Sequence, residues 1–216
     1  MERYRHFKKL EVVYLDTPNE IYLKKKSKRP LKIDTLMISS LNTHFDDIYI
    51  KDIELKALYL IGYGSYRLET MHLPKFRTLK LEINNILRLN DNFNQSMPEL
   101  GTIDFKAKII DFNGAIKCNE HLKRINLQAE NPLYVDLGEN CNLLSILSVQ
   151  SVEEATIDYH HRIPPNIKQM IIVGEKANLK NVSKIDRKAT SIPYVYLGVH
   201  KNIDDFKELF SLVDIT

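Results

Sequence analysis

Leu100-Gly101-Thr102-Ile103-Asp104-Phe105 is followed 22 residues later by Leu122-Lys123-Arg124-Ile125-Asn126-Leu127, and both stretches read apolar-x-x-apolar-x-apolar. The same spelling recurs in both directions along the chain. Copies start at Leu10, Ile33, Leu55, Phe76, Leu100, Leu122, Leu144, Ile167 and Ile192, so consecutive starts lie 21 to 25 residues apart. A single copy of so short a pattern arises often by accident, whereas eight near-equal steps in succession do not. The chain therefore reads as a solenoid, in which each coil buries its apolar side chains against the coils on either side.

Strand geometry assigns the positions within each copy. Side chains alternate between faces, so the fourth and sixth positions point into the solenoid and the third, fifth and seventh point out. The first position closes the turn into the core. A second apolar segment recurs about eleven residues after each start, at Ile21, Leu68, Leu87, Ile110, Leu133 and Leu179, and supplies the opposite wall. It alternates in Ile21-Tyr22-Leu23 and in Leu133-Tyr134-Val135-Asp136-Leu137, and the interval is too short for long helices. A convex side of short strands and turns is expected. Before most copies stands an apolar residue followed by Pro or Asn: Leu73-Pro74, Met97-Pro98, Cys118-Asn119, Cys141-Asn142 and Ile163-Pro164. Proline there fixes φ and gives up a donor where no ladder bond is needed, which marks a corner.

The motif resembles the strand segment of the leucine-rich repeat, L-x-x-L-x-L-x-x-N/C-x-L. The resemblance covers nearly the whole chain and implies a leucine-rich repeat solenoid of the α/β horseshoe type, mainly β, with a parallel concave sheet of about nine strands. It departs from the family at the ninth position, which reads Pro18, Leu41, Tyr63, Asn84, Lys108, Glu130, Val152, Glu175 and His200. Only Asn84 fits, so the repeats are irregular and an asparagine ladder at that position is not expected. Asn92-Phe93-Asn94-Gln95 and Ile163-Pro164-Pro165-Asn166-Ile167-Lys168 also look like the FNIP subclass of repeats.

Residues 1–216 are expected to form one domain, with repeats over 10–200. Ile203, Phe206, Leu209, Phe210 and Val213 lie at helical spacing behind Asn202 as an N-cap, so 201–216 reads as a C-terminal capping helix. Tyr4, Phe7 and Leu10 make a weaker stripe, and 1–9 reads as a short cap or the remnant of an upstream domain. No apolar run approaches the roughly 18 residues of a membrane span, and Met1-Glu2-Arg3-Tyr4-Arg5-His6 has no apolar signal core. The expectations are a cytoplasmic chain, no membrane partner and a monomer. With 31 basic and 28 acidic residues the net charge is only +3, and nucleic acid is not the expected partner. The one basic run, Lys24-Lys25-Lys26-Ser27-Lys28-Arg29, fits a nuclear import signal or a solvated turn. Cys118 and Cys141 fall one repeat apart at the corner; packing of two free thiols is the favoured reading, and a bridge the alternative.

In such a fold, recognition belongs to the outward side chains of the concave face. Repeats one to three present Tyr14, Met37 and Tyr59, the middle presents Lys80, Asp104, Lys106, Arg124 and Asn126, and the last presents Tyr194 and Tyr196. Aromatic, Met and Arg side chains are the types enriched at protein interfaces. The competing reading is that Tyr and β-branched residues simply pack well on any strand surface. No nucleophile, base and orienting group fall at recognisable spacings. The histidines form no ligand pattern, and adjacent His160-His161 on a strand would point to opposite faces, so neither metal nor cofactor is expected. The resemblance implies a non-enzymatic module that binds a protein partner on its concave face. Two settings for it are an effector secreted by an intracellular bacterium into a host cell and a substrate-recognition subunit of a larger assembly such as a ubiquitin ligase.

Overall fold

The computed structural model describes residues 9–16, 21–24, 31–40, 48–51, 53–63, 66–68, 75–90, 97–138, 141–159, 164–180, 192 and 194–201. Nine parallel strands form one wall in sequence order: β1 (Lys9–Asp16), β3 (Leu31–Ser40), β5 (Ile53–Gly62), β7 (Thr78–Asn90), β8 (Thr102–Asn113), β9 (Arg124–Ala129), β11 (Ile146–Ser151), β13 (Gln169–Lys180) and β14 (Tyr194–Lys201). Each carries one copy of the motif. The register matches copy to copy: Val13 pairs Leu36, Leu36 pairs Leu58, Leu58 pairs Leu79, Leu79 pairs Ile103 and Ile103 pairs Ile125. Leu147 continues the same row to Met170 and Val195. Parallel strands in register stack position on position, so one apolar row per motif position becomes a continuous rib of the core. The fourth and sixth positions from Leu36 to Ile172 are all buried.

The return wall is strand as well. β2 (Ile21–Lys24) pairs β4 (Ile48–Lys51), β6 (Tyr66–Leu68) pairs the second half of β7, and β10 (Leu133–Leu137) pairs β12 (Glu154–Tyr159), which pairs the second half of β13. β7, β8 and β13 run through the corner without interruption. β7 has a bulge there, between Ile83 and Ile86, and the extra residue lets it turn while its pairing with β8 resumes at Ile86 and Ile109. Beyond β8, Gly114 at φ 115° turns the chain towards a bridge between Ile116 and Leu137. The molecule is thus a parallel β-solenoid with strand on both walls. The short strands expected of the convex side are present as β2, β4, β6, β10 and β12, and among the described residues there is no helix. The capping helix over 201–216 lies outside the described residues except for Lys201, which ends β14, and so does the N-terminal cap except for Lys9 and the Lys24–Arg29 run except for Lys24. No described helix is long and apolar enough to cross a membrane.

The Pro/Asn corner is a turn of fixed length. Leu100 N–H donates to the Met97 carbonyl, Leu122 to Asn119, Leu144 to Cys141 and Ile167 to Pro164, each closing a four-residue turn at 3.0 to 3.4 Å. Pro98 and Pro165 occupy the second turn position, where φ near −65° is required. Asparagine serves between coils: Asn119 Nδ2 donates to the Met97 carbonyl at 3.2 Å and Asn166 Nδ2 to the Asn142 carbonyl at 2.5 Å. These two bonds are made at the corner and not at the ninth motif position. The cysteines depart from the favoured reading of free, packed thiols. Cys118 and Cys141 form a disulfide between neighbouring coils, with their Cα atoms 4.8 Å apart. Cys118 precedes its turn and Cys141 opens its own, so the two are not equivalent in the repeat, yet the coil stacking distance still brings them together.

Candidate protein-binding surface

The fifth position forms one straight column across the front wall. Tyr14 pairs Met37, Met37 pairs Tyr59, Tyr59 pairs Lys80, Lys80 pairs Asp104 and Asp104 pairs Asn126; at the far end Ile171 pairs Tyr196. Arg124 and Tyr194 belong to the third-position column and Lys106 to the seventh. All ten candidate residues therefore face outward from a single wall. Their environments differ. Tyr14 is 59% exposed and Tyr194 and Tyr196 are each 51% exposed, whereas Met37 and Tyr59 are half-buried between neighbours.

Much of the charge in the middle of the wall is neutralised within it. Lys80 Nζ lies 3.5 Å from Asp104 Oδ2, Asn126 Nδ2 donates to Asp104 Oδ1 at 2.8 Å, and Lys106 Nζ reaches Glu82 Oε1 at 2.7 Å. The Glu82 carboxylate beside Lys106 raises the ammonium above its ordinary value. Arg124 is exposed and joins no ion pair among the described residues.

Sequence reasoning missed a charge ladder at the entrance to the strands. Asp34 lies between Lys9 and Lys56, each at 2.8 Å, and Glu54 between Lys32 and Lys75, each at 3.3 Å. Lys56, followed by Lys9, holds the Asp34 carboxyl below its usual range, and Lys32 with Lys75 does the same for Glu54. Residues about one period apart with opposite charge carry this signal, because the register makes them neighbours.

A second feature lies at the corner where the flat wall ends. The seventh, eighth and ninth motif positions of six successive coils, from Ile61 to Glu175, together with Gly198 at the seventh position of the next, line an open trough of about 800 Å³ along the solenoid axis. Its inner positions are mostly small: Gly62, Ala107, Ala129, Ser151 and Gly174. The bend explains this, since a Cβ at Gly174 would come within 2.7 Å of the Lys176 carbonyl oxygen. A run of small residues at the eighth position was the legible trace.

On the return wall, Tyr134 Oη donates to Asp158 Oδ2 at 2.8 Å and Lys180 Nζ sits 5.0 Å from the Tyr134 ring centre. Burial of the hydroxyl and the Asp158 carboxylate push the Tyr134 phenol up to about 12, so it remains protonated and acts as a hydrogen-bond donor. Among the described residues no three His, Cys, Asp or Glu side chains are grouped to hold a metal ion. His160 and His161 lie outside the described residues. No family model, curated protein or solved structure matches this chain. The assignment to the β-solenoid class rests on strand order, register and burial.

Proposed function

We propose that this chain is a non-enzymatic recognition module that holds a partner protein against the outward side chains of its front wall. One observation carries the reading: aromatic and apolar side chains stand exposed at both ends of a wall whose middle is largely self-neutralised. Val12 at 62% and Tyr14 at 59% mark one end, Tyr194 and Tyr196 the other. Exposed aromatic groups without internal partners are the usual anchors of protein interfaces, and the paired charges between them cost little to desolvate because they keep their partners. The likeness of the motif to leucine-rich repeats, irregular and in two segments FNIP-like, supports the same function, since repeat solenoids offer extended surfaces of this kind. A bacterial effector acting in a host cell fits the module. The Cys118–Cys141 bridge weighs against permanent residence in a reducing cytoplasm, where such bonds are rare.

The test compares the full chain with a Tyr59→Ala/Arg124→Glu double variant in quantitative affinity purification from cells of the source or its host. Both positions lie outside the buried core, so circular dichroism and the melt should match wild type, while specific partners fall at least tenfold with the variant. Co-recovery of ubiquitin-ligase subunits would assign the module to substrate recognition within that assembly. Equal recovery by both proteins would remove the front wall as the binding surface.

A further inference from the structure

Resting on the protein-binding reading above, we infer that the corner trough, rather than the flat wall alone, receives the partner, and that it takes a segment of the partner's chain in which apolar residues flank a central acidic and basic pair. Seven coils line the trough, and at about 4.8 Å per coil they span roughly 29 Å. A chain laid along it in extended form covers that length with about nine residues at some 3.3 Å each.

The backbone of the corner is already committed between coils. Glu130 and Asn131 N–H groups both donate to the Lys108 carbonyl, Val152 N–H to Ala129 and Lys176 N–H to Glu153. An occupant is therefore read by side chains and not by added ladder bonds. Those side chains are graded along the axis. Ile61 and Tyr63, 42% and 51% exposed, line the end nearest β5, and Val152, 70% exposed, lines the other side of the middle. Between them stand Lys108 and Glu130 in adjacent coils, both exposed and neither in an ion pair among the described residues, unlike Lys106, which is held by Glu82. Two unpaired opposite charges one coil apart match an acidic side chain followed by a basic one, and they give the segment a direction. A neutral glycan would leave both charges unanswered.

The experiment uses the full chain and fluorescence polarisation of nine-residue peptides in which apolar residues flank a central Glu then Lys, the same peptides with the central order inverted, composition-matched scrambles and neutral glucose oligosaccharides. The expected result is at least tenfold tighter binding of the matched order than of inverted or scrambled peptides, lost in Lys108→Glu and transferred to the inverted peptide in Lys108→Glu/Glu130→Lys, with unchanged circular dichroism. Equal affinity for all peptides, preference for the oligosaccharides, or no binding of any probe overturns the assignment. The partners recovered by affinity purification separate the two readings. Loss with Tyr59→Ala/Arg124→Glu but retention with Lys108→Glu/Glu130→Lys would leave the front wall standing and remove the trough. The reverse would place the site in the trough alone, and loss with both would join the two surfaces.

Discussion

Ile103 has no exposed surface and pairs with Leu79 on one side and Ile125 on the other, so its side chain is one link in an apolar rib running through the array. Replacing it by Asp places an unpaired carboxylate where neither water nor a cation can reach it, which costs several kcal/mol and unfolds the middle coils. Circular dichroism melts should show loss of the cooperative transition in Ile103→Asp. The outward neighbour provides the contrast: Asp104→Asn keeps the hydrogen-bonding oxygen facing Asn126 and should shift the melt by less than about 1 kcal/mol. A tolerated Ile103→Asp would refute the register. That register was legible in the sequence because alternation and a near-constant period leave one inward set, and Leu58, Leu79, Ile103 and Ile125 fall in it without exception. The disulfide was not. Corner spacing gave Cys118 and Cys141 no distinction from other small buried residues, and only the stacking of turns of unequal phase brings them together.

Single coils exchange charge as well as apolar contact. Asp34 and Glu54 each sit between two lysines, and their carboxyls titrate below their ordinary values. A depressed folded value means that the unfolded chain binds protons first on acidification. The stabilisation is therefore fully present above the unfolded carboxylate range, near pH 4, and is lost as pH falls through the lower folded values. Wild type should thus lose melting temperature more steeply below about pH 5 than an Asp34→Asn/Glu54→Gln double variant, with the two curves parallel from pH 6 to 8. Molar salt should narrow the difference, since every member of the ladder reaches solvent. Identical acid limbs in the two proteins would show that the ladder contributes nothing measurable. At this scale the front strands were legible and the return strands only partly so. Ile83-Asn84-Asn85-Ile86 breaks the alternation within β7 and forms a bulged corner held by its neighbour. The trough was hidden for the same reason, because it belongs to the bend and not to any strand face.

The whole molecule is quasi-one-dimensional: among the described residues, the strands that carry the motif pair with the coils before and after them. Its stability is then close to a sum of coil terms and nearest-neighbour interfaces, and the place of a defect matters as much as its size. Leu36 in β3 and Ile125 in β9 are both fully buried, so truncation to Ala costs a similar 2–5 kcal/mol at either site. Near the first strand, Leu36→Ala should open β1, β3 and β5 while the amides of β8, β9 and β11 keep wild-type protection. In the middle, Ile125→Ala should weaken the β8–β9 and β9–β11 interfaces together and lower protection on both sides of the defect. Hydrogen exchange read strand by strand distinguishes the two patterns. A uniform fall in protection in both variants would mean that the coils open as one unit, with interfaces much stronger than the coils they join. Graded opening would instead allow the end coils to yield while the coils around β8, β9 and β11, which form the centre of the trough, remain assembled to receive a partner chain.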